Sequence, residues 1–128
     1  LNIIIEYYDN MQEKLNIKVS YWSQLAQSLS GGNQQKTVIS KWLSTKPEVL
    51  ILDEPTKGID VRSKSAVHEF MGELVGEGMS IIMISSELPE ILGMCDRVVV
   101  MYRGLIKNVL DVKDASSEQI VKIASGEE

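Results

Sequence analysis

Val49-Leu50-Ile51-Leu52-Asp53-Glu54-Pro55 runs near the middle of the chain. An apolar run without polar alternation leads into two carboxylates and a proline. Such a run suits a strand buried on both faces of a parallel sheet. Proline cannot donate to a ladder, so the strand ends near it. Open α/β sheets bind ligands beyond the carboxyl ends of their strands, and an unpaired charge buried there is costly. Two acids at that place fit a Mg-nucleotide site. Asp53 would hold the metal through water, and Glu54 would orient and deprotonate the attacking water. A core strand that merely meets solvent at an Asp-Glu pair has the same sequence, so the stretch does not choose alone.

Working forward, Thr56 to Asp60 reads as a loop. Val67, Phe70, Met71, Leu74 and Val75 then follow i, i+3, i+4, i+7, i+8 spacing, which predicts a helix capped by Asp60 and ended at Gly76 and Gly78. His68 lies beside that stripe and reads as a surface residue. Ser80 to Ser85 predicts a second buried strand, and Ser86-Glu87-Leu88-Pro89 opens a short helix. Arg97 to Met101 predicts a third strand, turned back by Arg103-Gly104 into Leu105 to Leu110 as a hairpin. Ser116 and Gln119 have capping-box spacing before Ile120, Val121 and Ala124, which predicts a small terminal helix.

Working backward, Leu29-Ser30-Gly31-Gly32-Asn33 precedes a helix whose apolar face is read as Val38, Ile39, Trp42 and Leu43, ending near Lys46-Pro47. Ser30 is its N-cap. Two glycines at a helix start remove side chains where backbone N–H groups point outward, which makes an anion site such as a phosphate cradle. A plain Ser-capped helix after a glycine turn fits the same residues. Asn16 to Gln27 is polar and reads as loop, and Ile4, Tyr8, Met11 and Leu15 predict an amphipathic helix over Ile3 to Leu15. Helices alternating with buried strands imply an α/β domain with a largely parallel sheet.

Composition bounds the function. The chain has 128 residues, 44% hydrophobic and 24% charged, the profile of one ordinary globular domain. A net charge of -5 argues against a nucleic-acid binder. The single cysteine, Cys95, allows no intrachain disulfide, which suits a reducing cytoplasm. No apolar run approaches a membrane span, and the first residues do not read as a signal peptide. The first residue is Leu1, so the chain is expected to be a piece of something longer.

Taken together, the motifs resemble those of the ATP-binding-cassette (ABC) ATPases. Leu29 to Asn33 looks like the signature motif, Val49 to Glu54 like the Walker B strand and Thr56 to Asp60 like the D-loop, over about Leu15 to Leu110. Asn33-Gln34-Gln35-Lys36, Lys57-Gly58-Ile59-Asp60-Val61 and Ser85-Ser86-Glu87-Leu88-Pro89-Glu90 are similar to the second cassette of tandem bacterial importers of ribose, galactose and xylose. The resemblance implies a partial P-loop NTPase fold. Residues 1–28 would end a helical subdomain, 29–112 would form the C-terminal half of the ATPase core, and 113–128 would be a C-terminal helix and tail.

The same resemblance implies function and partners. The parent would use ATP and Mg2+ and sit peripherally on the cytoplasmic face of the membrane. Its partners would be a second cassette, membrane permease subunits and, indirectly, a substrate-binding protein, with no nucleic acid. Asp53 would take the metal, with Glu54 and Ser86 catalytic. Ser30, Gly31, Gly32 and Asn33 would meet the γ-phosphate of a nucleotide on the opposite cassette, and Asp60 would lie between the two sites. Three departures matter. The 128 residues contain no Gly-x-x-x-x-Gly-Lys-Ser/Thr loop. The family's usual switch histidine is replaced by Ser86, which cannot act as a cation. Asn33 stands where glutamine is commoner.

Other outputs of the same cassette are a DNA-repair or translation-factor ATPase, or a regulatory or dimerisation half. The family also places the strand leading into Walker A between the counterparts of Ser80–Ser85 and Arg97–Met101. Without it, either those two strands pair directly or a second chain covers the gap, and the second is the expectation.

Overall fold

The computed structural model describes residues 2–21 and 23–127; the side chains of residues 2–5 and 7 are not among those described. In chain order the elements are α1 (Asn2–Lys14), a 3-10 turn (Ala26–Ser28), α2 (Gly31–Leu43), β1 (Val49–Asp53), α3 (Val61–Gly76), β2 (Ser80–Ile84), α4 (Leu88–Met94), β3 (Arg97–Tyr102), β4 (Leu105–Asp111), a second 3-10 turn (Val112–Asp114) and α5 (Ser117–Ser125). The order is α/β, as the periodicities predict. The Ile3 and Ile4 end of the expected first stripe lies outside the described side chains. The residues gather into two compact units, one up to Ile84 and one from Ser85 onward.

In the first unit, β1 and β2 pair in parallel, from Val49 beside Ser80 to Asp53 beside Ile84. The crossover is α3, capped by Asp60 as expected, with Val67, Phe70, Met71 and Leu74 buried. Val75, the fifth residue of the predicted stripe, is half exposed. Leu50 and Leu52 are buried, but Val49 and Ile51 are not. The expectation of strands buried on both faces is therefore corrected. One crossover helix can cover only one face of a two-stranded sheet, and on the other Ile51 is 64% exposed and its neighbour Ile82 52% exposed.

The face assigned to α2 is also corrected. Its buried residues are Gly32, Lys36, Ile39 and Ser40, while Val38 and Trp42 are exposed. The period of 3.6 is right and the phase is wrong. The buried side of α2 carries Ile39 with a lysine stem and a small serine, in place of Val38 and Trp42. Lys36 buries its methylene stem, as long amphipathic side chains do. Burial holds its ammonium below the ordinary lysine value, Glu69 partly restores it, and Lys18 opposes that.

In the second unit, β3 and β4 form the expected antiparallel hairpin, closed at Arg103-Gly104 with both residues at positive φ (46° and 79°). Two consecutive positive φ values are the type I′ turn that matches strand twist. Val98 and Val100 pack with Ile120 of α5, and Leu88, Ile91 and Leu92 of α4 close around them. The predicted cap is present, since Ser116 Oγ accepts from Gln119 N at 3.1 Å. Among the described residues there are two separate two-stranded sheets, so Arg97–Met101 does not join the ladder of Ser80–Ser85.

Candidate functional site

Asp53 is the last residue of β1 and is exposed at its carboxyl end. Glu54 follows with φ 49°, a left-handed conformation that is rare for a glutamate. Its N–H still donates to Ile84 O of β2 at 2.8 Å, so the parallel ladder runs one residue past the strand while the chain turns away. Lys57 N closes the turn on Glu54 O at 3.2 Å, over the buried Pro55 and Thr56. The left-handed residue costs roughly 1–2 kcal/mol. Strain of this kind persists where the surroundings over-determine the backbone, often at functional sites. The result is two successive acidic residues at the carboxyl edge of a parallel pair.

The second group is built at the start of α2. Ser30 has extended backbone and its Oγ accepts from Asn33 N at 3.5 Å, the predicted cap. The Asn33 side chain reaches back to the preceding loop, with Oδ1 accepting from Lys18 N and Nδ2 donating to Lys18 O, both at 3.4 Å. The glycines have a reason that the sequence did not reveal. A Cβ on Gly32 would overlap Ser63 Cβ and Oγ, and one on Gly31 would lie 3.0 Å from Ile59 Cγ2. Gly32 is required by the close approach of Ser63 in the first turn of α3, and Gly31 leaves room for Ile59 in the loop before it.

Asp60 sits in that loop. Its Oδ1 accepts from Ser63 N at 3.0 Å and its Oδ2 accepts from Ser63 Oγ at 2.7 Å. These bonds, the hydroxyl first, hold its carboxyl below the ordinary aspartate value. Asp53 and Glu54 are thus brought together, as are Ser30, Gly31, Gly32, Asn33 and Asp60. Ser63 and Ile59, which join that second group, were missed by sequence reasoning. The Asp-x-x-Ser spacing of Asp60 and Ser63 was the available signal.

Ser86 belongs to the second unit and is exposed. Its neighbour Ser85 donates through Oγ to Glu90 Oε2 at 2.5 Å and accepts from Glu87 N at 3.0 Å. Glu90 is only 6% exposed. Ser85 therefore ties the segment around Ser86 to the first turn of α4. Burial, and then Asp96 and Glu90, push the Cys95 thiol above its ordinary value.

Among the described residues no cluster of three or more His, Cys, Asp and Glu side chains is placed to hold a metal. Two adjacent carboxylates fit an ion that Mg2+ chemistry completes with water and phosphate oxygens, rather than a full protein cage. No described helix is long and apolar enough to cross a membrane.

Residues 5–57 match the family model described as ABC transporter. The chain is similar to the ribose import ATP-binding protein RbsA of Jannaschia sp., 60% identical over 114 residues, which is 89% of this chain and 22% of the relative. It is 58% identical to ribose import ATP-binding protein RbsA 1 of Agrobacterium fabrum over 113 residues, 88% of this chain and 22% of the relative. The chain thus spans about a fifth of the length of these curated relatives. Its fold matches the ADP conformation of an ATP-binding cassette of an ABC transporter with a TM-score of 0.74 and 26% identity, over 94% of this chain and 46% of that one. It also matches cbiO1 of Clostridium perfringens, part of an ABC transporter complex, with a TM-score of 0.75 and 25% identity, over 97% and 50%. With the signature-like helix start, the Walker-B-like strand end and the D-loop-like turn all in place, the chain is similar to ABC transporter ATP-binding cassettes over about half of their length.

Proposed function

We propose that this chain is part of the ATP-binding and hydrolysing subunit of an importer for ribose or a related small sugar. The observation that carries the proposal is the pairing of two built groups in one unit. Asp53 and Glu54 stand at the carboxyl edge of β1, and a Ser30-capped helix start is seated against the Asp60 loop. The curated relatives named for ribose import supply the substrate class.

In this reading Asp53 holds the Mg2+ of a bound nucleotide through water, and Glu54 orients and deprotonates the attacking water. Bound Mg2+ supplies charge neutralisation at the phosphates. The N-terminus of α2, with Ser30, Gly31, Gly32 and Asn33, faces the γ-phosphate held by a second cassette, where its dipole and N–H groups favour negative charge. Asp60 lies between the two sites, and Ser86 touches the phosphate as a hydroxyl donor. The subunit sits on the cytoplasmic face of the membrane against permease subunits, with a substrate-binding protein delivering the sugar.

The test is reconstitution of the full-length subunit with its permease and binding protein in liposomes. ATP hydrolysis stimulated by ribose or a related sugar, and abolished without the binding protein, is the expected result. Hydrolysis indifferent to permease and sugar would instead favour an ABC ATPase with another output.

A further inference from the structure

We propose that Ser63 is a positioning residue. It fastens the Asp60 loop to the start of α2, so that the helix N-terminus and the Asp60 carboxylate shift as one body. The proposal rests on the function just given, because it deepens the role of two of its parts.

Ser63 does more for Asp60 than a cap requires. An N-cap carboxylate needs one backbone N–H, and Ser63 N supplies it to Oδ1 at 3.0 Å. The further bond from Ser63 Oγ to Oδ2, at 2.7 Å, fixes the rotation of the carboxylate. A free-turning cap would not hold its second oxygen in one place.

The same serine is also where a side chain on Gly32 would have to go, since a Cβ there overlaps Ser63 Cβ and Oγ and lies 3.4 Å from its Cα. The neighbouring turn of the loop fits the same way. Beside Gly31 an added Cβ would meet Ile59 Cγ2 at 3.0 Å and Gly58 O at 3.7 Å. Both glycines of the helix start are therefore closed off by residues 58–63. Gly32 itself is buried.

These contacts lie close to the backbone on both sides. A displacement of the α2 N-terminus cannot be absorbed by a long side chain, and close-packed contacts transmit strain. Energetic coupling needs a contiguous physical link, and here the link runs from Gly32 to Ser63 to the two oxygens of Asp60. The event at the helix start, arrival or loss of a phosphate, is thereby passed to the Asp60 loop.

The experiment uses the full-length parent with Ser63→Ala, Asp60→Ala and the double variant. Ser63→Ala is expected to leave KM for Mg-ATP within about twofold and lower kcat about three- to tenfold, the range of substitutions along coupling networks. In the Asp60→Ala background, Ser63→Ala is expected to lower kcat no further, because its hydroxyl acts through Asp60. Amide hydrogen exchange is expected to quicken at residues 31–32 of α2 and 58–60 of the loop, and not along α3.

An unchanged kcat, or a loss that adds to that of Asp60→Ala, overturns the proposal. Faster exchange along all of α3 shows a merely structural serine and overturns it too. The exchange measurement needs no hydrolysis. A parent that does not hydrolyse ATP counts against the proposed function, and the exchange pattern alone then decides whether Ser63 fastens the loop.

Discussion

Glycine-to-alanine substitution at three helical positions is predicted to give opposite signs for reasons the structure makes explicit. At Gly72, inside α3, an added Cβ meets nothing within 4 Å and the residue is at ordinary helical φ. Alanine there gains roughly 0.5–1 kcal/mol, because glycine has more freedom to lose on folding. At Gly32 the same methyl overlaps Ser63, an obstacle attached directly to the α3 backbone. The propensity gain is up to about 1 kcal/mol in a helix interior and is smaller in the first turn. Against it stands overpacking of about 1–3 kcal/mol, since α2 and α3 must separate. The net expectation for Gly32→Ala is a loss of about 1–2 kcal/mol. Gly31→Ala falls between, because Ile59 Cγ2 at 3.0 Å belongs to a side chain that can rotate away. Denaturant unfolding of the three variants, with m-values compared, is the assay. The order expected is Gly72→Ala above wild type, then Gly31→Ala, then Gly32→Ala. A Gly32→Ala protein as stable as Gly72→Ala would refute the close approach of the two helices.

Other outcomes follow from single residues. Lys36 has a lowered value in the folded state. The unfolded chain therefore holds the proton to higher pH, and stability rises as pH climbs through the folded value toward the ordinary 10.5. Lys36→Met is expected to raise the melting temperature at pH 7 and to flatten that alkaline rise, as followed by thermal unfolding from pH 7 to 11. A polypeptide of only these 128 residues is expected to show no micromolar binding of Mg-ATP in calorimetry, because it has no Walker A loop. Micromolar affinity, about 8 kcal/mol, would place the main phosphate contacts elsewhere. The same polypeptide is expected to associate through the open face of Val49, Ile51, Ile82 and Ile84. Light scattering reads this directly, and a monomer at all concentrations would contradict it.

What was legible in the sequence is what local chemistry decides. The Arg103-Gly104 turn, the Ser116 and Asp60 caps and the end of β1 at Asp53 each follow from a few adjacent residues. The burial of β1 was misread because Val49 to Leu52 carries no information about how many layers the chain can supply. The phase of α2 was misread because hydrophobicity favours Trp42 and Val38, whereas close packing against α3 favours Gly32 and Ser40. The two carboxylates Asp53 and Glu54 could be found from their place after an apolar run. Their setting could not, since the positive φ of Glu54 depends on its N–H reaching Ile84, thirty residues on. The spacing from Asp60 points to Ser63, but its contact with Gly32 could not be read, because it joins two helices.

In the proposed function Glu54 is the general base of a nucleotide site built on β1. Single-turnover hydrolysis by the full-length parent at this one site, with Glu54→Gln, tests it most directly. The amide keeps the shape and the left-handed backbone but cannot accept the proton. The rate is expected to fall about 100- to 10,000-fold, while unfolding stability stays at the wild-type value and the ATP-bound closed state persists longer. Because the proposed function gives the phosphate contact at Ser86 to a hydroxyl and not to a cation, the steady-state rate of the parent is expected to fall less than the single-turnover rate. An unchanged single-turnover rate in Glu54→Gln would contradict the claim.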